Sequence, residues 1–263
     1  MANLKEHIQS VNNKNEKVLS IFLTAGFPNK NKFVDLACKV FDAGADIIEL
    51  GIPFSDPLAD GPVIQHSSHL AIQNGVSIKD VLTYTEQIKN KNDKPIVLMG
   101  YANPILNYGK NNFFRDAKQA GVHGLIISDV PLEEYDSFFE EQNDLDVVLL
   151  TTPTSTEDRI MEIDERSKGF IYCVSVTGTT GIRKEFSSET LNSLKSTHSI
   201  VKNKMLVGFG ISSPENIKQI SPFCDGVIVG SAVIKRLMNG DYKIDVEETV
   251  KLVNQLKEVC KTV

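Results

Sequence analysis

The sequence has no apolar run long enough for a membrane helix, which takes roughly 18 to 20 residues. Nor is there a CxxC pair among its four cysteines, Cys38, Cys173, Cys224 and Cys260. The first absence excludes a membrane-spanning helix. The second argues against a thiolate metal cluster and leaves scattered thiols, the usage of a protein in the reducing cytosol. A cytoplasmic location is therefore expected. The opening stretch MANLKEHIQSVNNKNEK lacks an apolar h-region, so no secretory signal is expected. Basic charge is also scarce: 28 Lys and Arg stand against 34 Asp and Glu, a net charge of -6. That balance argues against a nucleic-acid-binding face but leaves room for a small local anion site.

What is present is an alternation. Apolar runs rich in β-branched residues occupy 18–24 (VLSIFLT), 46–51 (DIIELG), 96–100 (IVLMG), 124–129 (GLIISD), 146–151 (DVVLLT), 169–175 (GFIYCVS), 205–210 (MLVGFG) and 225–230 (DGVIVG). Between them lie stretches with helical spacing, such as FVDLACKVFDAG, which stops on Gly44. The runs are continuous in hydrophobicity, as strands buried on both faces of a parallel sheet are. Eight strand–helix units in 263 residues predict an α/β chain folded as a (β/α)8 TIM barrel. A doubly wound open sheet is the runner-up, since its usual strand count is lower. Residues 2–12 are expected to form an extra N-terminal helix closing the barrel bottom, and the last helix is expected over 246–261. No low-complexity linker breaks the chain, so residues 1–263 are read as one catalytic barrel domain.

In such barrels chemistry gathers at the C-terminal ends of strands. Thr24, Glu49, Tyr101, Asp129, Thr151, Tyr172, Phe209, Gly210, Gly230 and Ser231 stand there. No lysine does, which removes Schiff-base chemistry. No histidine does, which argues against a His-based metal site, and no metal is expected. A hard-cation site on Asp56 and Asp60 stays open as a minor option. What remains is carboxylate chemistry, and the stretch ELGIPFSDPLADGPVIQ (49–65) concentrates it in Glu49, Asp56 and Asp60. Glu49 ends a strand. Paired with a lysine it would be structural. In a mouth with few cations its pKa should instead rise from about 4.3 toward neutrality, the range useful for proton transfer. Asp60 precedes Gly61-Pro62, so it is also a candidate cap for a helix opening there. Asp56, before Pro57, is equally a turn residue.

Three glycine clusters follow strands in the second half: TGTTG (177–181), GFGIS (208–212) and VGSAV (229–233). Backbone N–H groups approach an anion where no Cβ intervenes, and barrels often hold phosphate after strands 7 and 8. A helix starting at SAVIKRLM would direct its positive end at the same place. A phosphorylated small molecule is therefore the expected substrate. TGTTGIRKEFSSE, the longest polar stretch beside a strand, is expected to act as a lid.

The 49–65 stretch, with GYANPI (100–105), DVPLEE (129–134), VTGTTG (176–181) and GFGIS (208–212), resembles the tryptophan synthase alpha subunit family from about residue 15 to residue 240. The resemblance implies cleavage of indole-3-glycerol phosphate to indole and glyceraldehyde 3-phosphate, a retro-aldol reaction with neither metal nor Schiff base. It implies that Glu49 transfers the proton and that Asp60 accepts the indole N–H. It implies that Gly181, Gly210, Gly230 and Ser231 meet the phosphate, and that Phe22, Tyr101, Tyr172, Thr180 and Phe209 line or close the indole pocket. The family's partner is a beta subunit in an α2β2 heterotetramer. Pyridoxal phosphate is expected in that partner, and no cofactor in this subunit. The lid and the loop carrying Asp56 and Asp60 would respond to the partner. The absence of Trp is compatible with an enzyme made when tryptophan is scarce. The competing reading is a catalytically weak subunit that mainly activates its partner.

Overall fold

The apolar runs become strands because both their faces are covered: every residue of the first three is buried. The computed structural model describes residues 3–140, 144–175 and 186–263. Its strands are β1 (Val18–Thr24), β2 (Ile47–Gly51), β3 (Ile96–Gly100), β4 (Gly124–Ile127), β5 (Asp146–Val147), β6 (Leu149–Thr151), β7 (Ile171–Val174), β8 (Met205–Gly208) and β9 (Gly226–Val229). They lie in one sheet in the order β5-β4-β3-β2-β1-β9-β8-β7-β6. All its strand pairs are parallel. The two ends of that order, β5 and β6, are consecutive in the chain. They form one strand position interrupted at Val148, through which the sheet closes into the expected barrel.

The sequence predicts an unbroken fifth strand over 146–151, and the interruption has a local cause. Val148 N–H still donates to Leu125 O of β4 (2.9 Å). On the other side, Lys168 N–H reaches Val147 O (2.8 Å), while Leu149 N–H is taken by the Ser167 hydroxyl (3.0 Å). A side-chain oxygen stands where a strand carbonyl would continue the ladder.

Helix Leu4–Asn12 is fixed by a capping box between Asn3 and Glu6 and buries Leu4, Ile8 and Val11. A Cβ on Gly124, at the start of β4, would lie 2.7 Å from Leu4 Cδ1, so this helix does pack against the barrel bottom. There too, Lys257 joins Asp46 (3.0 Å) and Glu16 (3.0 Å), and Asp46 accepts the Leu19 N–H (2.8 Å). The last helix runs Tyr242–Cys260, starting earlier than its apolar spacing predicts. The Asp241 carboxylate caps it by accepting the Lys243 and Ile244 N–H groups.

Parallel pairing sets the site's register. Phe22 lies beside Glu49, and Glu49 beside Val97. Alternation along each strand puts Ser20, Phe22 and Thr24 of β1 on one face, with Ile47, Glu49 and Gly51 of β2 beside them.

Candidate active site

Glu49 is fully buried, at 0% exposure. Its Oε1 accepts the Ser20 hydroxyl (2.8 Å), and its Oε2 has no partner. Burial pushes its pKa up from 4.5 to about 7, and the Ser20 hydrogen bond opposes the rise. No cation figures among the causes, so the pairing with a lysine weighed from sequence is not what the structure contains.

Asp60 arrives from the loop after β2 and is 7% exposed. Its Oδ2 accepts the Tyr101 hydroxyl (2.9 Å), and Tyr101 in turn accepts the Ala59 N–H (3.2 Å). Tyr101 thereby pins the end of the loop to the end of β3. Burial raises the Asp60 pKa from 3.8 to about 6, against the Tyr101 hydrogen bond. The capping role weighed from sequence falls away: helix Pro62–Gln73 has Gly61 as its N-cap and no side-chain cap hydrogen bond. Asp56 is exposed. Among the described residues no group of three His, Cys, Asp or Glu could hold a metal ion.

Beside Asp60 opens a cavity of about 470 Å³. Phe22, Asp60, Tyr172, Phe209, Gly210, Gly230 and Ser231 line it, so seven residues singled out from sequence come together in one place. A smaller adjoining chamber of about 290 Å³ is shared by Phe22, Asp60 and Tyr101. Glu49 lines neither chamber. Phe22, its neighbour in register, lays its ring against Gly51, where a Cβ would overlap Phe22 Cζ. That ring therefore covers the mouth end of β2 above Glu49. Thr180 and Gly181, with residues 177–185 of the expected lid, lie outside the described residues; the rest of that stretch leads into helix Ser188–Ile200, which Ser187 caps.

The walls also contain Ile64, Met99, Ile211 and Ile228, which sequence reasoning missed. In strands buried on both faces, hydrophobicity alone does not tell which residues point inward. Counting every second residue from Glu49 through the pairing would have found Met99. The glycines have a further use. At Gly208 a Cβ would overlap the Tyr172 ring and hydroxyl, so the missing side chain is the space that Tyr172 fills. Tyr172 also meets Phe209 edge-on, with ring centroids 6.0 Å apart. Phe209 and Gly210 have φ of 70° and 79°, an uncommon conformation for a non-glycine residue. The Ser175 hydroxyl donates to the carbonyls of Gly208 and Phe209 and holds that turn.

Residues 8–262 match the profile of the family "Tryptophan synthase alpha chain". A protein of that name from Thermoanaerobacter sp. (strain X514) is 42% identical over 262 residues, covering 98% of this chain and 100% of its own. One from Clostridium beijerinckii is 44% identical over 254 residues, covering 95% and 96%. Among solved structures, the tryptophan synthase alpha chain of Legionella pneumophila superposes with a TM-score of 0.90 at 30% identity, covering 100% of this chain and 98% of its own. A chain of tryptophan synthase from M. tuberculosis in its aminoacrylate-bound form gives 0.85 at 31%, covering 98% and 99%.

Proposed function

Because the chain belongs to the tryptophan synthase alpha chain family, we propose that its two buried carboxyls divide the work of the family's lyase half-reaction. That half-reaction is the cleavage of indole-3-glycerol phosphate to indole and glyceraldehyde 3-phosphate. The observation that carries the reading is a fully buried carboxyl with no counter-cation and a pKa near 7. Its neighbour in register, Phe22, lines a cavity whose wall holds a second carboxyl.

Indole is a poor leaving group as a carbanion. Neutral Glu49 gives its proton to ring carbon C3, and Asp60 takes the N–H proton, leaving an indolenine. The glycerol hydroxyl then returns a proton to the Glu49 carboxylate as its C=O forms. The C–C bond breaks, its electrons restore the aromatic ring, and the ring nitrogen recovers its proton from Asp60. One carboxyl with a pKa near neutrality serves as acid and then base. The backbone at Gly210, Gly230 and Ser231 is proposed to hold the phosphate, and the described residues of the cavity wall include no Lys or Arg, which supports amide recognition. Thr180 and Gly181 are proposed to complete the pocket. Phe22, Tyr101, Tyr172 and Phe209 supply its apolar faces.

The family's alpha chain partners with a beta chain. The proposed assembly is α2β2, with pyridoxal phosphate in the beta chain and no cofactor needed here. No helix of the described residues is long and apolar enough to cross a membrane, in keeping with the proposed cytoplasmic location.

The test is indole release from indole-3-glycerol phosphate, with and without the beta chain. Wild type is expected to release indole. Asp60→Asn is expected to lose activity about 10²-fold or more. No release under either condition would leave a subunit that only activates its partner.

Asp60 must be ionised to accept the N–H, and Glu49 must be neutral to give its proton. The rate is therefore expected to fall below pH about 6 and above pH about 7. Removing the Tyr101 hydroxyl removes a donor that favours ionised Asp60. Tyr101→Phe is expected to move the acid limb up by about one pH unit. An unmoved acid limb in the kcat/KM profile would contradict this.

A further inference from the structure

Ser20 lies on β1 one inward step below Phe22, beside Ile47 of β2. It is at 0% exposure, as is Glu49. Its hydroxyl stands 2.8 Å from Glu49 Oε1, while Oε2 has no partner. No other hydrogen bond to Glu49 is present among the described residues. We propose that Ser20 is a positioning residue for Glu49, holding Oε1 so that the transferable proton rides on Oε2. The proposal rests on Glu49 being the proton-transfer group.

The geometry constrains the proton. A serine hydroxyl has one hydrogen. Given to Oε1, it marks that oxygen as an acceptor in both ionisation states. In the neutral acid Oε1 is then the carbonyl oxygen, and the acidic hydrogen sits on Oε2. Oε2 has no protein partner to compete with a substrate carbon.

The surroundings leave this hydroxyl as the main polar influence. On β1, Phe22 flanks Glu49 in register, and on β3 Val97 does; neither titrates. The titratable group that interacts with it is Tyr172 of β7, on which Asp60 of the loop after β2 also acts; both are acids. Burial holds the Tyr172 phenol well above its usual value, with Glu49 and Asp60 adding to the effect. Among the described residues no Lys, Arg or His acts on Glu49. A hydrogen bond to an ionised acceptor is stronger than one to its neutral form. Ser20 therefore offsets part of the burial that drives Glu49 toward the permanently neutral state.

The experiment compares pH profiles of kcat and KM for indole release by wild type, Ser20→Ala and Ser20→Cys, each with the beta chain present. Cysteine keeps the volume but is a weak donor, so it separates loss of the hydrogen bond from loss of packing. Both variants are expected to move the alkaline limb up by about one pH unit. Both are also expected to lower kcat several-fold with KM unchanged. A hydroxyl that only satisfied a buried acceptor would move the limb and thermal stability but leave the plateau kcat unchanged, so an unchanged plateau kcat also overturns the proposal. An unmoved limb, or one moved down, overturns the proposal. Glu49→Gln is measured alongside. If it stays fully active, the role of Glu49 itself has failed. If it is inactive while the Ser20 variants keep the wild-type limb, only the role of Ser20 has failed.

Discussion

Glu49→Gln is expected to reduce kcat for indole release by on the order of 10²- to 10⁴-fold while making the protein more stable in alkali. Both effects come from one cause. The carboxyl is useful because burial raises its pKa to about 7, and the same burial makes its ionisation costly. In the unfolded chain the group ionises near 4.5; in the fold, near 7. Between those values the folded state holds a proton the unfolded state has released, so stability falls as pH rises through the window. At about 1.36 kcal/mol per unit, the loss amounts to roughly 3 kcal/mol by pH 9. Glutamine has no proton to lose. Asp60 titrates in the same sense but is present in both proteins and cancels. Urea denaturation at pH 5 and pH 9 measures the difference. The stability gap between variant and wild type should widen by a few kcal/mol from the lower pH to the higher. A constant gap, or wild-type turnover by the variant, would refute this account.

The second large effect is steric. Gly208→Ala adds a methyl where the Tyr172 ring and hydroxyl lie. The backbone conformation at 208 is open to alanine, so the strain is confined to that overlap. Tyr172 is fully buried and backed by Phe209, so its ring gives way only by shifting into the cavity or by pushing β7 from β8. Overpacking of this kind costs about 1–3 kcal/mol, or several degrees in thermal midpoint for a chain of this size. Displacing a pocket wall by around an ångström is expected to lower kcat/KM by about 10²-fold. Tyr172→Phe in the same molecule removes the closest overlapping atom and should restore part of both losses. Wild-type kcat/KM in Gly208→Ala would show that the ring has freedom the packing denies it.

Much of this was legible in the sequence. Continuous apolar runs gave the barrel, and strand-end position brought out Glu49, Tyr101, Tyr172 and Phe209. Other features depend on neighbours distant in the chain. Ser20 reads as an interior strand serine until β1 is set beside β2, when it becomes the partner of Glu49. That Asp60 does not cap the next helix shows only in the fold, where its carboxylate takes the Tyr101 hydroxyl from 41 positions away. Gly51 and Gly208 stand in the sequence as strand-end glycines, yet each leaves room for an aromatic ring. The fifth strand is interrupted because a serine hydroxyl from a later loop takes the Leu149 amide, which no local pattern announces.

The closure of the barrel at Val148 also divides the site between two stretches of the chain. Both carboxyls, with Ser20 and Tyr101 that hold them, precede the interruption. Tyr172, Phe209, Gly210, Gly230 and Ser231 follow it and bring no carboxylate or cation to the cavity wall. The proposed proton chemistry thus draws on the first half of the chain, and the proposed fit of the substrate's other end largely on the second. Exchange or drift in residues 170–232 could retune which anion is accepted while the acid–base pair passes unchanged from one generation to the next.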